Sequence, residues 1–218
     1  NLKRSLANDK NQISSEPTSS LEIGSINLAD TAGHTVSGDF NNDGFSDLAI
    51  SQPELNTWLS ANSSNPSAGT SNGQMNIHYG SETGLSQSSD IEFYGGQDNQ
   101  YFGQGITCGD FNGDGFSDIA VGSPGYNLSD GKVEVFFGSS LGLSTVPAII
   151  TGVSFTTDSG LEYGSLLRTV EDLDGDGNDE LLVSSLGDDG LGKLELFHGS
   201  SQNDGWGTLQ SPEYSTQG

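Results

Sequence analysis

An acidic loop recurs three times along this chain, each time followed by a short apolar run. Residues 38–50 read GDFNNDGFSDLAI, residues 109–121 read GDFNGDGFSDIAV, and residues 171–183 give a looser copy, EDLDGDGNDELLV. A second element follows each loop between glycines: GQMNIHYG at 73–80, GKVEVFFG at 131–138 and GKLELFHG at 192–199. Its alternation of apolar and polar residues predicts a half-buried strand. Self-similarity at a period of this size points to stacked supersecondary units that share a core.

Two more strands complete the unit. The segment before each loop is strand-like at Thr35-Val36, at Phe102 to Thr107 and at Tyr163 to Leu167. Outer strands are expected at Ile91 to Tyr94, Ala148 to Ile150 and Glu213 to Ser215. Strand, acidic loop, apolar strand, turn, alternating strand and outer strand make one blade of four antiparallel strands. The fold class expected is therefore all-β, with blades of the β-propeller type. The expected blades cover about 30–95, 101–152 and 162–216, within a propeller segment at 21–218. Residues 1–20 are polar and low in complexity and read as a linker or disordered tail. A Ser- and Asn-rich insertion at 53–72 reads as a surface loop. Closed propellers need at least four blades, so three imply a fragment, an open array or part of an assembly.

The chain carries 30 Asp and Glu against 6 Lys and Arg, for a net charge of −24. So little cationic surface argues against nucleic acid as a partner, because nothing would displace counterions from phosphates. A polybasic membrane contact fails for the same reason, and no apolar run approaches a transmembrane segment. With one cysteine, Cys108, an internal disulfide is not possible. Two sequons occur, at Asn62 and Asn127, as candidate glycosylation sites.

The acids fall at fixed positions. Oxygen side chains occupy places 1, 3, 5 and 9 of each loop: Asp39, Asn41, Asp43 and Asp47; Asp110, Asn112, Asp114 and Asp118; Asp172, Asp174, Asp176 and Glu180. Place 7 (Phe45, Phe116, Asn178) can add a backbone carbonyl. Such a set, with one bidentate carboxylate, reaches the six to eight oxygens that Ca²⁺ takes. Gly44, Gly115 and Gly177 allow the sharp turn between them. Two carboxylates ~4 Å apart repel by about 4 kcal/mol at an effective dielectric of 20, so a cation between them is favoured. Magnesium fits poorly, since it prefers a rigid octahedron with retained waters, and zinc fits worse, because no loop offers Cys or His. About three calcium ions are thus expected. Turns rich in Asx without metal are the plain alternative. An EF-hand is not: it needs a Glu at place 12, where this chain has Ile50, Val121 and Val183.

These motifs together resemble the FG-GAP repeats of integrin α-subunit propellers. The second repeat carries the likeness best, with Phe102-Gly103, the loop from Asp110 to Asp118, and Gly122-Ser123-Pro124. The first has Ala32-Gly33 and Ser51-Gln52-Pro53; the third has Tyr163-Gly164 but Ser184-Ser185-Leu186, without the proline. The likeness covers about residues 30–205. It implies calcium at the loop positions named above, and an extracellular or cell-surface, secreted setting. It also implies a recognition or adhesion role exercised on the face opposite the loops. That face would carry Trp58 in the insertion and Asp98, Asn99 and Tyr101 between blades, as candidate contacts for a protein or glycan ligand. Further blades or self-assembly are alternative partners.

No nucleophile–base constellation appears, so the chain is not expected to be an enzyme itself. His78 and His198 align with aromatic residues of the other repeats and read as strand residues. His34 has no evident partner, and Cys108 reads as a small buried side chain. Two alternatives remain. One is a structural subunit of an extracellular assembly; the other is the accessory propeller of a larger enzyme, since phospholipases of the D type that cleave glycosylphosphatidylinositol carry such repeats.

Overall fold

The computed structural model describes residues 33–55, 71–151, 160–186 and 192–200, together with the backbone of 215–217. These residues form three sheets of four antiparallel strands. The first runs β1 (His34–Gly38), β2 (Asp47–Gln52), β3 (Gln74–His78), β4 (Ile91–Tyr94). The second runs β5 (Ile106–Gly109), β6 (Asp118–Ser123), β7 (Lys132–Phe136), β8 (Ala148–Thr151). The third runs β9 (Leu167–Val170), β10 (Glu180–Ser185), β11 (Lys193–Phe197), β12 (Ser215–Gln217). In each sheet the strands are paired in sequence order, as consecutive hairpins require. The chain is therefore all-β, with propeller-type blades. The one helical element among the described residues, the single turn α1 (Tyr126–Ser129) between β6 and β7, has Asn127 and Leu128 at φ 50° and 62°, in the left-handed region.

The registers explain the repeated sequence. Within the second sheet Gly109 faces Asp118, and Ile119 faces Phe136. Each acidic loop is thus the hairpin between the first and second strands. The middle of the second strand is apolar because both of its faces are covered: all six residues of β6 are buried, from Asp118 to Ser123. Ile119 and Val121 pack towards the first sheet with Phe40, Met75, Ile77 and Phe136. Ala120 packs the other way, with Phe111, Leu167, Leu181 and Val183. The two cores therefore lie between consecutive blades. The first strands β1, β5 and β9 come together on the inner side. They and the residues leading into them line a cavity of about 480 Å³ that includes Val36, Thr107 and Arg168. The third sheet has no fourth sheet on its far side among the described residues. Leu173 and Leu194 are 61% and 41% exposed there, so the arc is open.

Two expectations for strands need correction. Phe102-Gly103-Gln104 and Gly164-Ser165 are turns and bends, Tyr163 makes only an isolated bridge to Gly131, and the strands start at Ile106 and Leu167. Gly103 and Gly164 have φ of 93° and 85°, which only glycine adopts without strain. Their amides reach carbonyls of second strands: Gly103 N–H donates to Gly122 and Gly164 N–H to Ser184. Ring and glycine thus act together as a crossing point, with Phe102 and Tyr163 buried. The outer strand of the third sheet is β12, which begins at Ser215; Glu213 and Tyr214 lie outside the described residues.

Candidate metal centres

The first two loops are built alike. The carboxylate of Asp39 accepts the amides of Asp43 and Gly44 at 3.1 and 2.9 Å. That of Asp110 accepts those of Asp114 and Gly115 at the same distances. Asn41 and Asn112 each accept the amide two residues ahead and donate Nδ2–H to the aspartate at place 5. Asp43 and Asp114 in turn accept the amides of Phe45 and Phe116. Every oxygen that accepts one amide keeps a second lone pair, so these bonds orient the side chains without exhausting them.

At place 9 the aspartate is buried and doubly anchored. Asp118 accepts the amide of Phe111 on Oδ2 at 3.0 Å and that of Gly138 on Oδ1 at 2.8 Å, with the residue 0% exposed. Asp47 does the same with Phe40 and Gly80. One carboxylate therefore ties the loop to the end of the third strand. Burial pushes the Asp118 carboxyl up to about 8, against the pull of those two amides, and the charges of Asp114 and Asp110 add to the rise. Asp47 is raised for the same reason, burial first. The donor set is oxygen only, and its ninth carboxylate is held away from water, which suits a hard cation.

The third loop departs from this plan. Asp172, Asp174 and Asp176 are exposed, and their carboxylates lie within 4.8 Å of one another. Asp174 and Asp176 accept amides two residues ahead, as in the other loops. Glu180, at place 9 and 0% exposed, accepts the amide of Leu173 on Oε2 at 2.6 Å. Its Oε1 has no hydrogen-bond partner. It gathers instead with Asp174 and His198, again within 4.8 Å. Asn178 is buried, and its side chain donates to Asp176. His198 was the residue that sequence reasoning missed. It follows β11 rather than lying in it, and its Nδ1 stands 3.0 Å from Asp174 Oδ2. The signal was present: only in this repeat do a polar residue after the third strand and a longer acid at place 9 occur together.

Successive loops are also joined to one another. Ser117 accepts the Asp39 amide on Oγ, and its own amide donates to the Asp39 carbonyl. Asp179 repeats both bonds to Asp110. The amides of Ser139 and Ser200 complete the joint by donating to the Phe40 and Phe111 carbonyls.

On the far ends of the blades, the connection carrying Asp98, Asn99 and Tyr101 meets the β6–β7 turn. Gln100 donates to Ser123 Oγ, and Gln97 accepts the Asn127 amide. Asp98 and Asn99 are exposed, and Tyr101 is partly so. Asn127 is exposed, with its side chain bonded to Asp130. Trp58 and Asn62 lie outside the described residues. His78 is buried in β3 with Nδ1 at 3.0 Å from the Ser86 carbonyl, a structural position. Cys108 is half-buried, its thiol donating to the Ser37 carbonyl.

Residues 102–136, from the Phe-Gly turn through β7, match the family described as FG-GAP repeat. The chain is an FG-GAP repeat protein. It is similar to rat integrin alpha-7, 32% identical over 154 residues, which are 69% of this chain and 12% of that protein. Mouse integrin alpha-IIb is 41% identical over 88 residues, 39% of this chain and 8% of that protein. Mouse phosphatidylinositol-glycan-specific phospholipase D is 32% identical over 183 residues, 78% of this chain and 20% of that protein. The FG-GAP chain thus spans at most a fifth of the length of these relatives. No helix among its described residues is long and apolar enough to cross a membrane.

Proposed function

We propose that this FG-GAP chain is a calcium-stabilised, non-catalytic recognition or adhesion module of an extracellular or secreted protein. Ca²⁺ would be held at Asp39, Asn41, Asp43 and Asp47, and again at Asp110, Asn112, Asp114 and Asp118. The carbonyls of Phe45 and Phe116 would add a ligand to each. In the third loop Asp172, Asp174, Asp176, Glu180 and the carbonyl of Asn178 would serve. The observation that carries this reading is the near-identity of the first two loops. Both hold the same oxygen set on the same loop amides and both bury a carboxylate at place 9. A dication supplies the charge that such a carboxylate lacks. Its work there is structural: it offsets repulsion between loop acids and fixes the hairpin that joins neighbouring blades. The blades at about 30–95, 101–152 and 162–216 are the units so fixed.

A protein or glycan ligand would be met on the opposite face, through Asp98, Asn99, Tyr101 and Trp58. The match to the phospholipase over 78% of the chain favours a second reading, an accessory propeller within a larger enzyme. The complete reading frame separates the two, since only the second requires a fused catalytic domain. A purely structural subunit would show concentration-dependent assembly that a chelator reverses.

Calorimetric titration of the chelated full chain with calcium is expected to show about three sites and a raised melting temperature. Unchanged stability on chelation would overturn the reading. Asp114→Ala should remove one site, and retention of all of them would show that the ligand set is wrong.

A further inference from the structure

We propose that the third loop and the end of β11 form a mixed nitrogen–oxygen site for a transition-metal dication of the zinc class, held by Asp174, Glu180 and His198. The proposal rests on reading the loops as metal sites and departs from that reading in the ion taken by the third. Three observations support it, and the first concerns Glu180. In the first two repeats both oxygens of the ninth carboxylate are satisfied by amides, one of them from the glycine that ends the third-strand element. The glutamate keeps only the bond on Oε2, to Leu173. Its extra methylene carries Oε1 away from the Gly199 amide, so this oxygen is buried and accepts no hydrogen bond. An ionised oxygen placed so needs a positive charge beside it.

The second observation is what that oxygen faces. Glu180 Oε1 stands 3.6 Å from His198 Nδ1, which stands 3.0 Å from Asp174 Oδ2. Two ligands bound at roughly 2.0–2.2 Å and at a tetrahedral angle lie roughly 3.4 Å apart. The two separations bracket that value, as expected for three corners of a tetrahedron with the fourth open to water. The Asp174 side chain is 41% exposed and gives an ion a way in.

The third observation is the donor type. Imidazole nitrogen suits zinc, cobalt and nickel, whereas calcium takes oxygen. The first two repeats have Tyr79 and Phe137 where the third has His198. Tyr79 is committed elsewhere, its hydroxyl accepting the Leu143 amide between blades. The exchange of Asp for Glu at place 9 and of an aromatic for His thus occurs in one repeat, at two positions that meet in space. Asp174 belongs also to the all-carboxylate group with Asp172 and Asp176, so zinc and calcium compete for it.

The test uses the full chain stripped of metal with a chelator. Titration with Co²⁺ should raise visible absorption of a nitrogen-bearing, low-coordinate site at one equivalent, and Zn²⁺ should abolish it. One equivalent of Zn²⁺ should also lower the calcium stoichiometry by about one. His198→Asn, which keeps a donor towards Asp174, should weaken Co²⁺ binding by roughly 100-fold or more while calcium at the first two loops persists. Glu180→Gln should do the same through the other side chain, and circular dichroism checks that both variants fold. An absorption spectrum like that of aqueous Co²⁺, or Co²⁺ binding unchanged in His198→Asn, would overturn the proposal. Failure of the calcium reading is distinguishable, because calcium would then give no heat at the Asp39 and Asp110 loops whatever cobalt does.

Discussion

The second and third loops open with the same spacing of acids and close differently. In the second, Asp118 is short enough for its two oxygens to meet two amides, so loop and third strand lock together. In the third, Glu180 reaches one amide and leaves an oxygen over for His198. Their surroundings differ as well. The second loop lies against a following blade, which buries Phe111 completely; the corresponding Leu173 is 61% exposed. The backbone registers with this difference, since Asp172 has φ 28° whereas neither Asp39 nor Asp110 has a positive φ. One sequence pattern therefore yields an anchored loop where a neighbour covers it and a more open loop with other side-chain partners where, among the described residues, none does.

The largest contrast is expected at the residue after the first aspartate. Phe111→Ala should cost about 3–5 kcal/mol in urea denaturation, as truncation of a fully buried ring does. Leu173→Ala should cost less than about 0.5 kcal/mol, the usual range for exposed positions. Equal costs would mean that the third blade is covered as the second is.

Next come the ninth carboxylates. Asp118→Ala orphans two amides and should destabilise the metal-free chain by about 2–4 kcal/mol, whereas Glu180→Ala orphans one and should cost about half as much. A Glu180→Ala variant as unstable as Asp118→Ala would break the contrast between anchored and open loops.

Much of this was legible beforehand, because hairpin loops and central strands are governed by local chemistry. The second- and third-strand elements fell where alternation and flanking glycines put them, and β4 matches Ile91 to Tyr94. What was not legible depended on neighbours. Phe102-Gly103 reads as strand by composition, yet forms a turn because its amide is claimed by Gly122 of the next hairpin. His198 reads as a strand residue by alignment, yet lies beyond β11 against an acid that is close only after folding. Nothing within the Asp110 loop shows that Asp179, in the following repeat, would accept its first amide.

The smallest effects test that last bond. Asp179→Ala removes a charged acceptor 2.8 Å from the Asp110 amide and should cost about 1.5 kcal/mol. Ser117→Ala removes a neutral acceptor at 3.2 Å from the Asp39 amide and should cost about 0.5–1 kcal/mol. A reversed order, read from urea midpoints at constant slope, would show that charge at the joint contributes nothing.

The joint has a direction. Place 8 of the later loop always grips place 1 of the earlier, and the serine after the later third-strand element always reaches the residue after that first aspartate. Such a contact is heterologous: the surface that gives is never the surface that takes. The first blade presents one half of it at Ser46 and Ser81, and the third presents the other half at Asp172 and Leu173. Head-to-tail joints of this kind have no internal stopping rule. They end only when a ring closes on itself or when something of different shape caps the last unit, so the two exposed halves here are complementary by construction.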